Sequence, residues 1–168
     1  MNTRSVLIAF VCLCLTAPLF AQGRCSLAGT WTGDNDAGLV FLITFTPLNN
    51  SDSRFSTFAG HANDPTGLGL FPTAVGTSAF QGEAQRTTIR TFDQTALAYV
   101  RDDFGWIGTW AVSGTWTLSK DCGTAEVVWY ASAFFAGEDP IADPPFFCFP
   151  PITGVYHRVP VVASSCPE

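Results

Sequence analysis

Basic charge is scarce in this chain. Lys120 is the sole lysine, and 8 Lys and Arg stand against 14 Asp and Glu, a net charge of −6. Phosphate backbones and anionic lipid surfaces are both held by clustered Lys and Arg, so neither nucleic acid nor a membrane surface is an expected partner. Histidine is limited to His61 and His157. Neither lies in a Gly-x-Ser-x-Gly or comparable setting, so the parts of a nucleophile–base–orienter triad are missing. No Cys-x-x-Cys pair is present to begin a zinc site, and Glu138-Asp139 with Asp143 lacks the spacing of an EF-hand loop. Asp102 and Asp103 are adjacent and would point to opposite faces of a strand. No catalytic residue, metal or cofactor is therefore expected.

Helical periodicity is missing too. Beyond residue 22 no stretch sustains apolar residues at i, i+3, i+4 and i+7. The longest apolar run, Val6 to Leu15, is shorter than the roughly 20 residues a bilayer span requires. It follows Arg4 and precedes Thr16, Ala17, Pro18 and Ala21, the layout of a secretory signal peptide. Residues 1–21 are expected to be such a peptide, and 22–168 a single secreted domain, extracellular or periplasmic. Without 1–21 the balance is 7 basic against 14 acidic groups.

What the domain does contain is short runs of Thr, Val and aromatic residues divided by Gly, Asp, Asn and Pro, an all-β pattern. Strands are predicted near 29–34, 38–46, 54–62, 74–82, 86–92, 95–102, 107–118, 123–135 and 154–162. One is surplus to an even-numbered closed meander, and the surplus is placed within Arg86 to Arg101. The expected fold is an up-and-down antiparallel β-barrel of about eight strands, which removes exposed sheet edges. Gly29-Thr30-Trp31-Thr32 leads to a turn at Asp36-Ala37-Gly38. Gly114-Thr115-Trp116-Thr117 leads likewise to Asp121-Cys122-Gly123, with Gly free to take positive φ. Residues 136–153 carry Pro140, Pro144, Pro145, Pro150 and Pro151 and cannot form a central strand. The same segment holds Phe146, Phe147 and Phe149, which fit either a rim over a pocket or a plug in one barrel end.

The run Arg24-Cys25-Ser26-Leu27-Ala28-Gly29-Thr30-Trp31-Thr32-Gly33-Asp34 resembles the opening strand of avidin and streptavidin. Its Gly-x-Trp core is shared with the wider calycin group. Val112-Ser113-Gly114, Gly123 and Val128-Trp129 resemble that family's sixth and seventh strands, and Val155-Tyr156-His157-Arg158 its closing strand. The resemblance implies an eight-stranded ligand-binding barrel with Trp129 and Trp106 as aromatic walls, and Arg158 packed on Trp31. Gly33 and Ala37 stand where the family places an Asn and a Ser toward biotin, and Val155 and Tyr156 where it places an Asp. Those departures argue against biotin itself.

Four cysteines follow the signal segment: Cys25, Cys122, Cys148 and Cys166. In an exported chain they read as two disulfides, with three connectivities open. Nine alternating strands would put Cys25 with Cys148 and Cys122 with Cys166. Eight would bring Cys25, Cys122 and Cys166 to one end. Cys25–Cys148 and Cys122–Cys166 is the expected pairing. The expected function is burial of a small, largely apolar ligand against Trp31, Trp106, Trp129 and Phe147, with Asp34 as a polar group. The alternative is a non-catalytic interaction module that uses loop 136–153. A third reading, a cofactor-free enzyme, requires a carboxylate such as Glu83 or Glu126 to face inward.

Overall fold

The computed structural model describes residues 24–36, 40–61 and 69–160. The expected signal segment and Cys166 lie outside the described residues. Among the described residues ten strands run in chain order: β1 (Gly29–Asn35), β2 (Val40–Pro47), β3 (Arg54–His61), β4 (Gly76–Thr77), β5 (Phe80–Arg86), β6 (Thr91–Arg101), β7 (Trp106–Leu118), β8 (Thr124–Phe135), β9 (Phe147–Cys148) and β10 (Ile152–Arg158). Eight of them close an antiparallel barrel in the order β1-β2-β3-β5-β6-β7-β8-β10, with β10 returning to β1. The short β4 and β9 add to β6 and β8.

The surplus strand lay where it was expected. The predicted runs 86–92 and 95–102 form one continuous strand, β6, preceded by a turn after Arg86. Thr87 N and Thr88 N both donate to Thr91 O there, which fixes the turn. The predicted 74–82 strand is split between β4 and β5. The turn between β7 and β8 also differs from expectation, since Cys122 rather than Gly123 takes the left-handed conformation, with φ 60°. Asp121 Oδ1 accepts from Gly123 N at 3.1 Å and Ser119 Oγ from Thr124 N at 3.1 Å, and these bonds support a non-glycine residue at positive φ.

Period-two alternation sorts the strands into an inner apolar set and an outer polar one. β6 shows it over its full length: Phe92, Gln94, Ala96, Ala98 and Val100 are buried, while Asp93, Thr95 and Tyr99 are exposed. The inner set differs along the barrel axis. At the end where β1 begins, the inward side chains include Trp31, Phe45, Phe55, Phe92, Trp116 and Leu118, all at most 1% exposed. Toward the other end, small residues become common: Ala59, Gly82, Ala96, Ala98, Ala131 and Ala133, interleaved with Phe80, Trp110 and Val112.

The bulky end is closed by the segment before β1. Cys25 is bonded to Cys122 in the β7–β8 turn, with Cα atoms 5.3 Å apart. This corrects both expected pairings, Cys25–Cys148 and Cys122–Cys166. An eight-strand meander puts Cys25 and Cys122 at one end, whereas Cys148 lies in β9, exposed and without a disulfide partner among the described residues. Two arginines hold the same segment. Arg86 Nη2 donates to Cys25 O at 2.7 Å and to Asp52 O at 2.8 Å. Arg158 donates through Nη1 to Ala28 O at 2.8 Å and through Nη2 to Ser26 O, with its guanidinium 4.7 Å from the centroid of Trp31. The Arg158–Trp31 contact is the one the avidin resemblance implies. Leu27 is fully buried beneath this clamp, and its carbonyl accepts from Trp31 Nε1 at 2.9 Å.

Candidate functional site

The side chains expected to line a ligand site divide between the two faces of the barrel. Trp31 and Trp129 lie inside. Both pack edge-to-face on Trp116, at centroid distances of 6.0 and 5.6 Å. Trp31 is a floor residue, committed to Leu27 and Arg158. Trp129, which is 8% exposed, sits higher on β8 opposite Gly114. A Cβ at Gly114 would stand 2.5 Å from Cε3 of Trp129, so the missing side chain is what lets the indole lie across β7.

Trp106 and Asp34 face outward. The β6–β7 register shifts between Val100, opposite Gly108, and Arg101, opposite Trp106. The extra residue on β7 reverses the alternation, as a bulge does. Trp106 therefore packs on the outer Tyr99 at 5.8 Å, and its indole donates to Gly108 O. Asp34 is an exposed, outward position of β1 opposite Val155. It borders an outer groove of about 600 Å³ shared with Thr115, Thr117, Glu126, Val128 and Val155. That groove is open to solvent and separated from the interior by the barrel wall. Glu126 is on this outer face, and Glu83 is outside as well, paired with Arg54 at 2.7 Å. Neither carboxylate is the inward group that the enzyme reading requires.

Phe147 is at the loop end of the barrel. β9 runs beside the upper part of β8, with Phe147 opposite Ala133 and Cys148 opposite Ser132. Phe146 N donates to Ala133 O at 3.0 Å and Phe149 N to Ala131 O at 2.9 Å, so the Pro-rich segment extends the wall there. Its rings form an aromatic rim. Phe147 meets Phe149 at 4.9 Å, Phe149 meets Trp110 at 5.7 Å, and Phe71 packs on both Trp110 and Phe146. Gly108 admits Phe71, whose Cε1 would be 2.3 Å from a Cβ there. Asp139 and Asp143, which lack EF-hand spacing, cap backbone in this loop: Asp143 Oδ2 accepts from Asp139 N at 2.7 Å, and Asp139 Oδ1 from Ile141 N at 2.9 Å.

In the sequence Tyr156 belonged to the run that resembles the avidin closing strand, and stood where that family places an Asp. Its ring fills space left by Gly33 and Gly154, with Cδ1 3.0 Å and Cε2 3.1 Å from the Cβ positions those glycines lack. It packs on Trp116 at 5.0 Å and on Trp129 at 6.3 Å. Burial pushes its phenol up to about 12, and the outer Asp34 carboxylate adds to the shift. The Trp129 indole N–H, which faces the phenol oxygen, opposes that shift by more than Asp34 adds to it. At neutral pH the phenol is thus a neutral O–H. The hydroxyls of Tyr156 and Thr57 and the Nε1–H of Trp129 are all buried without a protein partner. Tyr156, Trp116 and the room-making Gly33 and Gly114 are the parts the sequence reading missed. The paired Gly-Thr-Trp-Thr runs were a usable signal for Trp116.

No family model matches the chain, and no curated protein matches it in sequence. Solved structures do match. The chain is similar to EF1p2_mFAP2b bound to DFHBI, at 15% identity over 83% of this chain and 100% of that one, with a TM-score of 0.50. It is also similar to a biotin binding protein from chicken, at 21% identity over 81% and 99%, with a TM-score of 0.44. The likeness is one of fold. With the strand order and closure described above, it agrees with an eight-stranded antiparallel barrel.

Proposed function

We propose that the protein is an exported barrel that binds a small, largely apolar ligand in its upper half, entered past the aromatic rim of Phe71, Trp110, Phe147 and Phe149. The observation that carries this reading is the change in inward side chains along the axis. Rings fill the closed end, whereas Ala59, Gly82, Ala96, Ala98, Ala131 and Ala133 recur toward the loop end. Small residues facing one another from neighbouring strands take up less of the interior there than the rings of the closed end, and Trp129 and Tyr156 carry buried polar atoms without a hydrogen-bond partner. Pockets for small molecules have this character: apolar walls and a few polar groups. An apolar contact of about 200 Å² contributes on the order of 5 kcal/mol before the entropic cost of binding. EF1p2_mFAP2b, of the same fold, holds DFHBI, which supports the capacity of such a barrel for a small molecule. Export is supported by the pattern of residues 1–21 and by the Cys25–Cys122 bond, since disulfides persist in oxidising compartments.

The test is titration with the neutral apolar dye N-phenylnaphthylamine. A saturable one-to-one rise in its emission, with energy transfer from tryptophan, is the expected result. A flat titration would overturn the reading.

A second reading is favoured by the exposure of Phe104 at 97% and Ile141 at 92% beside the rim. Large exposed apolar side chains at one end mark a contact surface when they are contiguous. In that case the loop of residues 136–153 meets a partner protein and the interior is only core. Mass measurement of the protein in its own secretion medium separates the two, by a bound small molecule or a bound polypeptide.

A further inference from the structure

The indole N–H groups of the barrel differ in what they reach. Trp31 donates to Leu27 O, Trp106 to Gly108 O, and Trp116 to Gln94 Oε1 at 2.7 Å. Trp129 has no acceptor, although it is 8% exposed and no water-facing edge is left to its nitrogen. Its six-membered ring lies over Gly114 of β7, and its indole acts on the Tyr156 phenol of β10, whose ring is 6.3 Å away. On β10 stands Tyr156, fully buried, with a hydroxyl that is likewise unpartnered. The Tyr156 ring passes Gly33 with Cδ1 and Gly154 with Cε2, so it climbs the barrel and carries the hydroxyl toward the half where small residues prevail. Natural interiors pair nearly all such groups, and an exception calls for an account.

We infer that the ligand of the interior site is an uncharged aromatic compound with a carbonyl oxygen, which accepts hydrogen bonds from Trp129 Nε1–H and Tyr156 Oη–H together. The inference rests on the binding function proposed above and specifies its ligand. An indole only donates, and the phenol has its proton at neutral pH, so the shared complement is an acceptor with two lone pairs. A carbonyl supplies that. The charge of a carboxylate ligand would need a cation, and the Nη groups of Arg86 and Arg158 are held on backbone carbonyls at the closed end. A flat body suits the site, because Trp129 meets Trp116 edge-to-face and Tyr156 packs tilted on the same indole, and such rings favour a stacked or edge-on aromatic partner.

The experiment compares three probes by fluorescence titration: a propionyl-dimethylaminonaphthalene, whose emission reddens when its carbonyl accepts hydrogen bonds; dimethylaminonaphthalene, which lacks the carbonyl; and naphthoate, which is charged. The ketone is expected to bind about tenfold more tightly than the amine, and naphthoate most weakly. Tyr156→Phe keeps the ring and should remove most of that advantage, shift the bound ketone's emission to the blue, and leave the amine's affinity unchanged. Trp129→Phe should also remove most of that advantage and shift the bound ketone's emission to the blue, while weakening ketone and amine together through lost ring contact. Equal binding of ketone and amine, or a bound emission that Tyr156→Phe does not move, would overturn the inference and leave the apolar site standing. Failure of all three probes to bind would overturn both.

Discussion

The indole of Trp129 occupies the space of the side chain that Gly114 lacks, with Cε3 2.5 Å from where a Cβ would stand. The two residues face each other across β7 and β8, so a single methyl group decides how far the indole leans into the barrel. Gly114→Ala is expected to push Trp129 off its seat. Overpacking of this kind costs about 1–3 kcal/mol. Urea unfolding should show the loss, and the tightest of the aromatic probes should lose affinity with it. Unchanged stability would mean that Trp129 has another place to go.

Arg158 ties the last strand to the segment before the first. It donates to two backbone carbonyls and covers the Trp31 ring at 4.7 Å. Partial burial lowers its pKa, a cost that those contacts offset. Arg158→Met should destabilise the barrel by about 2–4 kcal/mol, because charged hydrogen bonds and a cation–π contact are lost together. Arg158→Lys cannot fork to both carbonyls and should recover only part of the loss. Thermal melts of the three proteins provide the check.

The unpartnered hydroxyl of Tyr156 gives opposite expectations for stability and binding. Tyr156→Phe removes a buried group with no partner and should stabilise the ligand-free protein by about 1 kcal/mol at neutral pH. In alkali the wild type should weaken in a way the variant does not. Its phenol is raised from 10.0 to about 12 by burial. Between those values the folded chain retains a proton that the unfolded chain has released. The stability is therefore complete below pH 10 and is lost as pH rises toward 12, by about 2–3 kcal/mol. Denaturant melts across that window, with absorbance of the tyrosinate band, read both effects.

Cys25 and Cys122 are 97 residues apart in sequence, and their bond restricts most of the unfolded chain. In the chain-entropy account, loss of such a cross-link costs about 4–5 kcal/mol. Cys25→Ser with Cys122→Ser should lower the melting temperature sharply. In the native protein, iodoacetamide should modify the exposed Cys148 and leave Cys25 and Cys122 untouched until reductant is added. Peptide mapping distinguishes them, and resistance of Cys148 would show that it is paired.

The barrel was legible because its signals are local. Alternation along β6 and β7, and the Gly-Thr-Trp-Thr runs that put Trp31 and Trp116 edge-to-face at the closed end, can be read from a few neighbouring residues. Which face a given residue takes was less secure. One bulge opposite Arg101 turned Trp106 outward, and nothing in Phe104-Gly105-Trp106-Ile107 announces it. The Cys25–Cys122 pairing followed from strand parity, which a surplus of one predicted strand reversed. Tyr156 was hidden for another reason. Its place in the interior depends on space left by Gly33 and Gly154, residues that come together only when the last strand closes on the first.

The most direct test of ligand binding inside the barrel is the set of tryptophan indole resonances in a nitrogen–proton spectrum, followed as the propionyl-dimethylaminonaphthalene is added. The account predicts that the Trp129 N–H moves downfield to saturation as it gains an acceptor. Trp106, on the outer face and already bonded to Gly108 O, should stay in place. A spectrum in which Trp106 moves and Trp129 does not would place binding on the outer wall and contradict the account.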